Sequence, residues 1–206
     1  MADIHPRERL FDAGPSLTVH DPLAELLGAG DGTWTYTFDD AVRLAGHACP
    51  TVAGAYVTAV QAVRRLYGGE TCIRGELRIT LHGAEESGAN GPFSQVLTLL
   101  TGAAGRNGFQ GLGGHYRRAG LLGFGAAAEG PLRCTFERMD TGAGVTLAYD
   151  PASISADPIL APAMQAVLKG AADAVTRARF RWAWRDRVER IVADGGESTV
   201  REVPAP

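Results

Sequence analysis

The chain predicts an α+β fold, with helices packed on an antiparallel sheet in one core domain. Three observations carry this prediction. Residues 51–67 repeat apolar side chains at three- and four-residue steps (Val52, Ala55, Tyr56, Ala59, Val60, Val63, Leu66, Tyr67), the period of a buried helix face. Residues 76–82 alternate instead, with Leu77, Ile79 and Leu81 against Arg78, Thr80 and His82, the period of a strand with one face on a core. Short strand patterns then recur at 121–124, 132–137 and 144–149 and read as parts of one antiparallel sheet.

Taken in order, residues 1–32 read as an N-terminal leader. Within it Asp21 opens a short helical pattern through Leu23, Leu26 and Leu27, which stops at the glycine cluster 28–32. At 33–38 threonines alternate with Trp34, Tyr36 and Phe38, as in a half-buried strand. Asp39 is placed to cap a brief helix through Val42, Leu44 and Ala45 that closes at Gly46. Pro50 suits the first position of the long helix, where its missing N–H is no loss, and Gly68-Gly69 ends it. Residues 83–91 have loop chemistry, and 93–102 return to helical spacing through Phe93, Val96, Leu97 and Leu100. A glycine-rich loop fills 105–115.

Helical patterns resume after 157, first at 159–168 and then, beyond Gly170, in a segment that Asp173 can cap. There Phe180, Trp184, Val188 and Ile191 form a stripe with arginines opposite. Phe180, Trp182 and Trp184 also alternate, but the helical pattern holds for about four turns, longer than strands usually run. Residues 33–194 form the expected core domain and 195–206 a loose tail.

Composition narrows the function classes. The 206 residues are 45% hydrophobic, enough for a proper core. Twenty basic against 23 acidic side chains give a net charge of −3, which excludes a basic nucleic-acid or membrane-surface binder. No apolar run is long enough to cross a bilayer, and residues 1–11 contain no apolar signal core. Three cysteines, with no Cys-x-x-Cys pair, argue against a disulfide framework or a zinc ribbon and fit the reducing cytoplasm.

The chemistry concentrates at Gly46-His47-Ala48-Cys49-Pro50. Cys49 falls at or beside a helix N-cap, where free backbone donors suit an anionic sulfur. An imidazole and a sulfur two residues apart favour zinc, with copper, iron and nickel as competitors. Further ligands would come from His82, Glu85, Glu86 or His115; His82 leads because it ends a strand, faces away from the apolar side and opens a glycine loop. An ion with an open position would suit hydrolase or lyase chemistry. Alternatively, Cys49 is a nucleophile with His47 as its base. Cysteine beside proline, near histidines, also suits haem iron held by Cys49 or His47. The plain alternative is that Cys49 is a small buried hydrophobe and His47 caps backbone.

His115, Arg117 and Arg118 could contact an anionic small molecule. Arg106 belongs to the 105–114 glycine loop, which matches neither the P-loop nor the dinucleotide fingerprint. Cys72 and Cys134 read as structural.

These residues support a family resemblance. The segment 38–50, Phe-Asp-Asp-Ala-Val-Arg-Leu-Ala-Gly-His-Ala-Cys-Pro, followed by a helix, resembles the His-x-Cys-Pro signature of the FmdE family, named for a component of formylmethanofuran dehydrogenase. Leu100-Thr101-Gly102 and Gly105-Arg106-Asn107-Gly108 are similar to that family's Thr-Gly and its Gly-Lys-Gly-Asn loop. The likeness closes with the aromatic and arginine-rich helix at 180–191. The resemblance implies an α+β core that pairs into a homodimer, with His47 and Cys49 at a metal-binding cleft, most often holding zinc. The chain departs from the pattern at 90–97, which lacks a Cys-x-x-Asp-Ala segment, at Arg106, which replaces the loop lysine, and in having no C-terminal zinc finger. A non-catalytic accessory component of a redox enzyme is a further alternative.

Overall fold

A computed structural model of the chain describes residues 10–11, 14–126 and 130–205; His5 and the first part of the expected leader lie outside them. The fold is α+β, as the sequence predicts. In chain order the elements are β1 (Leu17–His20), α1 (Pro22–Leu26), β2 (Thr33–Tyr36), α2 (Phe38–Ala45), α3 (Pro50–Tyr67), β3 (Cys72–Ile73), β4 (Leu77–His82) and α4 (Asn90–Thr101). Then follow β5 (Leu122–Gly125), β6 (Leu132–Arg138), β7 (Gly144–Tyr149), a 3₁₀ turn (Pro151–Ser153), α5 (Leu160–Leu168), α6 (Ala174–Asp194) and β8 (Val200–Glu202).

The long helix α3 lies at the centre. Its periodicity marks one apolar face, but every residue from 52 to 63 is buried, Thr58 and Gln61 included. A helix surrounded on all sides needs an apolar or small residue at nearly every position. The alanines, valines and Gly54 of α3 meet that need. α2, α4, α6 and β7 all pack against it. Gln61, at a position facing the chain's C-terminal segment, donates from Nε2 to the Gly195 carbonyl at 2.7 Å.

The main sheet has the order β5-β4-β6-β7-β8. Its core face carries Leu77, Ile79, Leu81, Cys134, Phe136 and Leu147, each about 1% exposed or less. Thr80, His82, Thr135 and Thr146 stand on the other face. All pairings in it are antiparallel except β4 with β5, which run parallel. A parallel pair needs a long crossover, and α4 with the glycine loop supplies it. A smaller sheet, β2-β1-β3, flanks the core.

Four expectations are corrected. The leader is built into the fold: β1 is the middle strand of the small sheet, and Leu17 and Val19 are core residues. The tail is not loose, because β8 pairs with β7 from Leu147↔Glu202 to Tyr149↔Val200. Strand β2 is an exposed edge rather than half-buried, with Trp34 42% exposed. Thr37, not Asp39, caps α2: Asp40 Oδ2 accepts from the Thr37 N–H at 2.8 Å. Asp39 is instead buried, and its carboxylate accepts from the N–H groups of Leu10 and Phe11 at 2.7 and 2.9 Å. That bond seats the Phe11 ring 5.1 Å from Phe38.

Gly54 fixes how closely the sheet meets α3. A Cβ there would stand 2.2 Å from Tyr149 Cε1, so the tyrosine ring lies directly on the helix backbone. Gly54→Ala should therefore cost about 1–3 kcal/mol despite alanine's better helix propensity, read as a lower urea midpoint. In a Tyr149→Ala background the same change should cost far less, and equal cost in both backgrounds would refute the contact.

Candidate functional site

Gly46, with φ of 74°, ends α2 in the left-handed conformation and turns the chain into His47-Ala48-Cys49 before α3 begins at Pro50. Four hydrogen bonds hold this turn. His47 Nδ1 lies 3.0 Å from the Ala45 carbonyl, which fixes the proton on Nδ1 and leaves Nε2 as the free ring nitrogen on an exposed side chain. The Ala48 carbonyl accepts from Trp184 Nε1 at 2.8 Å. Cys49 is the N-cap of α3, and its Sγ accepts from the Val52 N–H at 3.5 Å. The Pro50 carbonyl accepts from the Tyr149 hydroxyl at 2.6 Å. Burial raises the Tyr149 pKa well above the ordinary phenol value, so the hydroxyl remains a donor.

A cavity of about 420 Å³ opens directly beside this turn, walled by Pro50, Thr51, Phe93, Leu132, Tyr149 and Asp150. Its lining is mainly apolar, with the Phe93 and Tyr149 rings 6.1 Å apart. Cys49 itself is half-buried and packs against the core edge.

The other predicted residues lie elsewhere. His82 ends β4 on the face away from the core, where Nε2 is 2.8 Å from Thr135 Oγ1, itself 2.8 Å from Thr146 Oγ1. Burial, together with the Arg133 charge, lowers the His82 pKa and keeps the ring neutral. Among the described residues no three His, Cys, Asp or Glu side chains converge to hold an ion, so His82 does not join His47 and Cys49 as a third ligand. Arg106 lines a separate groove of about 580 Å³ with Glu85, Asn107 and Phe124. His115 and Arg117 line a third cavity, of about 430 Å³, together with Arg74 and Arg118. The structure thus unites His115 with Arg117 and Arg118 but separates all three from Arg106. Cys72 and Cys134 are buried in the core, and burial pushes the Cys72 thiol up to about 11.

Beside the third cavity, Asp21 takes hydrogen bonds from Arg74 Nη1 at 2.8 Å and Arg118 Nη2 at 2.7 Å while also capping α1. Neither this network nor the place of Tyr149 is legible in the sequence. Asp21 shows there only as the start of a short helical pattern and Tyr149 only as the end of a strand.

No known protein-family profile matches the chain, and no curated protein matches it either.

Burial pushes the Asp21 carboxyl up, but Arg74, Arg118 and the Ala24 N–H outweigh it and hold the group below its ordinary value. Its folded pKa is thus lower than its unfolded one, about 3.9. The network stabilises fully above that value and is lost as pH falls through the folded one. Urea unfolding between pH 7 and pH 2 should show stability declining below about pH 4. Asp21→Asn should flatten that limb and cost about 3–5 kcal/mol at pH 7 by leaving two guanidinium groups unpaired. An unchanged acid limb in this variant would discount the linkage.

Proposed function

We propose that the chain is a metal-binding protein of the FmdE type, in which His47 and Cys49 offer one nitrogen and one sulfur to a zinc ion at the mouth of α3. What supports this reading is the hydrogen bonding of each donor taken separately. Histidines that bind metals usually donate their other ring N–H to a carbonyl or carboxylate, which sets the tautomer. The bond from His47 Nδ1 to the Ala45 carbonyl has that form. Cys49 Sγ acts as an acceptor, from the Val52 N–H. A nitrogen and sulfur donor set suits zinc.

Among the described residues no third donor side chain joins these two. The source we propose for the remaining donors is a second copy of the chain. A second copy brought up about a twofold axis presents the same pair and completes an N₂S₂ set, so a homodimer is part of this reading. Zinc held by four protein donors would be structural and tie the two copies together, and only loss of one donor would open a position for Lewis-acid chemistry. The cavity at Pro50 and Thr51 would take the apolar body of a small-molecule ligand. The three free thiols, Cys49, Cys72 and Cys134, accord with a cytoplasmic location. No helix among the described residues is long and apolar enough to cross a membrane.

Haem is the second reading, favoured by the apolar cavity that begins at Pro50, the residue after Cys49. Elemental analysis and the visible spectrum of protein purified without added metal separate the two. Zinc at about one ion per two chains, with a dimer by light scattering, is the expected result. His47→Ala and Cys49→Ala should each lose the ion while keeping the native circular dichroism. A Soret band would replace zinc by haem. Failure of wild-type protein to retain or take up zinc, or unaltered zinc content in both variants, would end the metal reading.

A further inference from the structure

We propose that the cavity lined by Arg74, Arg117, Arg118, His115 and Tyr116 is a binding site for a small organic oxyanion, a carboxylate or a phosphate ester, independent of the His47–Cys49 turn. The cavity measures about 430 Å³. Its electrostatics are unbalanced. Arg74 and Arg118 share the single carboxylate of Asp21, which is 5% exposed. Arg117 adds a third guanidinium, and Glu76 is the one acidic residue in the lining. Three permanent positive charges therefore face two negative ones, before any protonation of His115. Of these, Arg74 and Arg118 are the guanidinium groups largely taken out of water, and they share one buried carboxylate; such burial is costly unless opposite charge offsets it, and a bound anion supplies the missing one.

The hydrogen-bonding inventory points the same way. Arg118 Nη1 and Arg74 Nε are enclosed without an acceptor and closed off from the open cavity, so the donors free to meet a ligand are those of Arg117. Arg117 uses only Nε, which donates to the Ala119 carbonyl at 3.1 Å, so its two terminal nitrogens are uncommitted among the described residues. Guanidinium groups with spare donors match the paired oxygens of a carboxylate or phosphate.

The backbone is shaped around these arginines. A Cβ at Gly75, a lining residue with φ of 91°, would stand 1.7 Å from Arg118 Nη1, and one at Gly102 would stand 2.6 Å from it. Two glycines thus make room for one guanidinium. Tyr116, between His115 and Arg117, has φ of 59° and is the one non-glycine residue with positive φ among those described. Such a conformation is costly for a bulky side chain, and strain of this kind concentrates at ligand sites. The rest of the wall, Pro22, Ile73 and Met139, is apolar and faces the carbon skeleton of a ligand rather than a bare ion.

Isothermal titration of the whole chain at constant ionic strength tests this with benzoate, phenyl phosphate and inorganic phosphate, against chloride alone. Benzoate or phenyl phosphate should bind at millimolar concentration or below, and whichever is tighter identifies the headgroup. Arg117→Ala, at an exposed side chain outside the Asp21 network, should weaken binding at least tenfold without altering the fold. Arg118→Lys, which keeps the charge but loses the fork, should weaken it too, with circular dichroism confirming the native state. Absence of binding by both organic probes, binding of inorganic phosphate alone, or equal affinity in Arg117→Ala would each overturn the assignment.

Discussion

From Val52 to Val63 α3 has no solvent face and must be packed on every side, which α2, α4, α6 and the main sheet do. That requirement sets the rest of the architecture. The sheet comes closest to the helix backbone at Gly54, where Tyr149 lies against it and reaches the Pro50 carbonyl. From the other side, α6 reaches the same end of the helix through Trp184 and the Ala48 carbonyl. The N-terminus of α3 is therefore the place where sheet, helix α6 and the turn from α2 meet. The His47–Cys49 turn is held rigidly because its flanking carbonyls are bonded to two large aromatic side chains.

The second organising interaction is Asp21. One carboxylate caps α1 and accepts from Arg74 and Arg118, joining the small sheet to the chain beyond the glycine loop. Arg74 also donates to the Leu99 carbonyl at the end of α4, so an unsatisfied helix terminus is drawn into the same network. A stretch that sequence periodicity leaves as a leader is thereby tied to three other parts of the molecule.

Local patterning makes much of this legible. Proline at the start of α3, the alternation through β4, the stripe through α6 and the Asp173 cap, whose carboxylate accepts from the Thr176 N–H, are all short-range signals, and the structure agrees with each. What does not show is long-range. Residues 17–20 alternate, with Leu17 and Val19 inward, but over only four positions, and 200–202 are three residues long, so their strand character comes from the neighbours they pair with. Asp39 resembles a cap because a cap is the commonest use of an acid at a helix start; its actual partners lie 28 and 29 residues earlier. The glycine loop shows the reverse case. Arg106 and the His115–Arg118 turn are close in sequence yet face different cavities, a separation that glycine-rich composition does not reveal.

The position of β8 bears on how the molecule assembles. Between β7 and its partner strand lie α5 and α6, so the sheet's last pairing closes a loop of about fifty residues, an entropic cost borne before any ladder bond rewards it. Until that closure the backbone of 147–149 is an open edge, able to template a strand from another chain. In the folded chain the Gln61 side chain holds the Gly195 carbonyl just ahead of β8, so the strand that covers this edge is anchored to α3 as well as to β7.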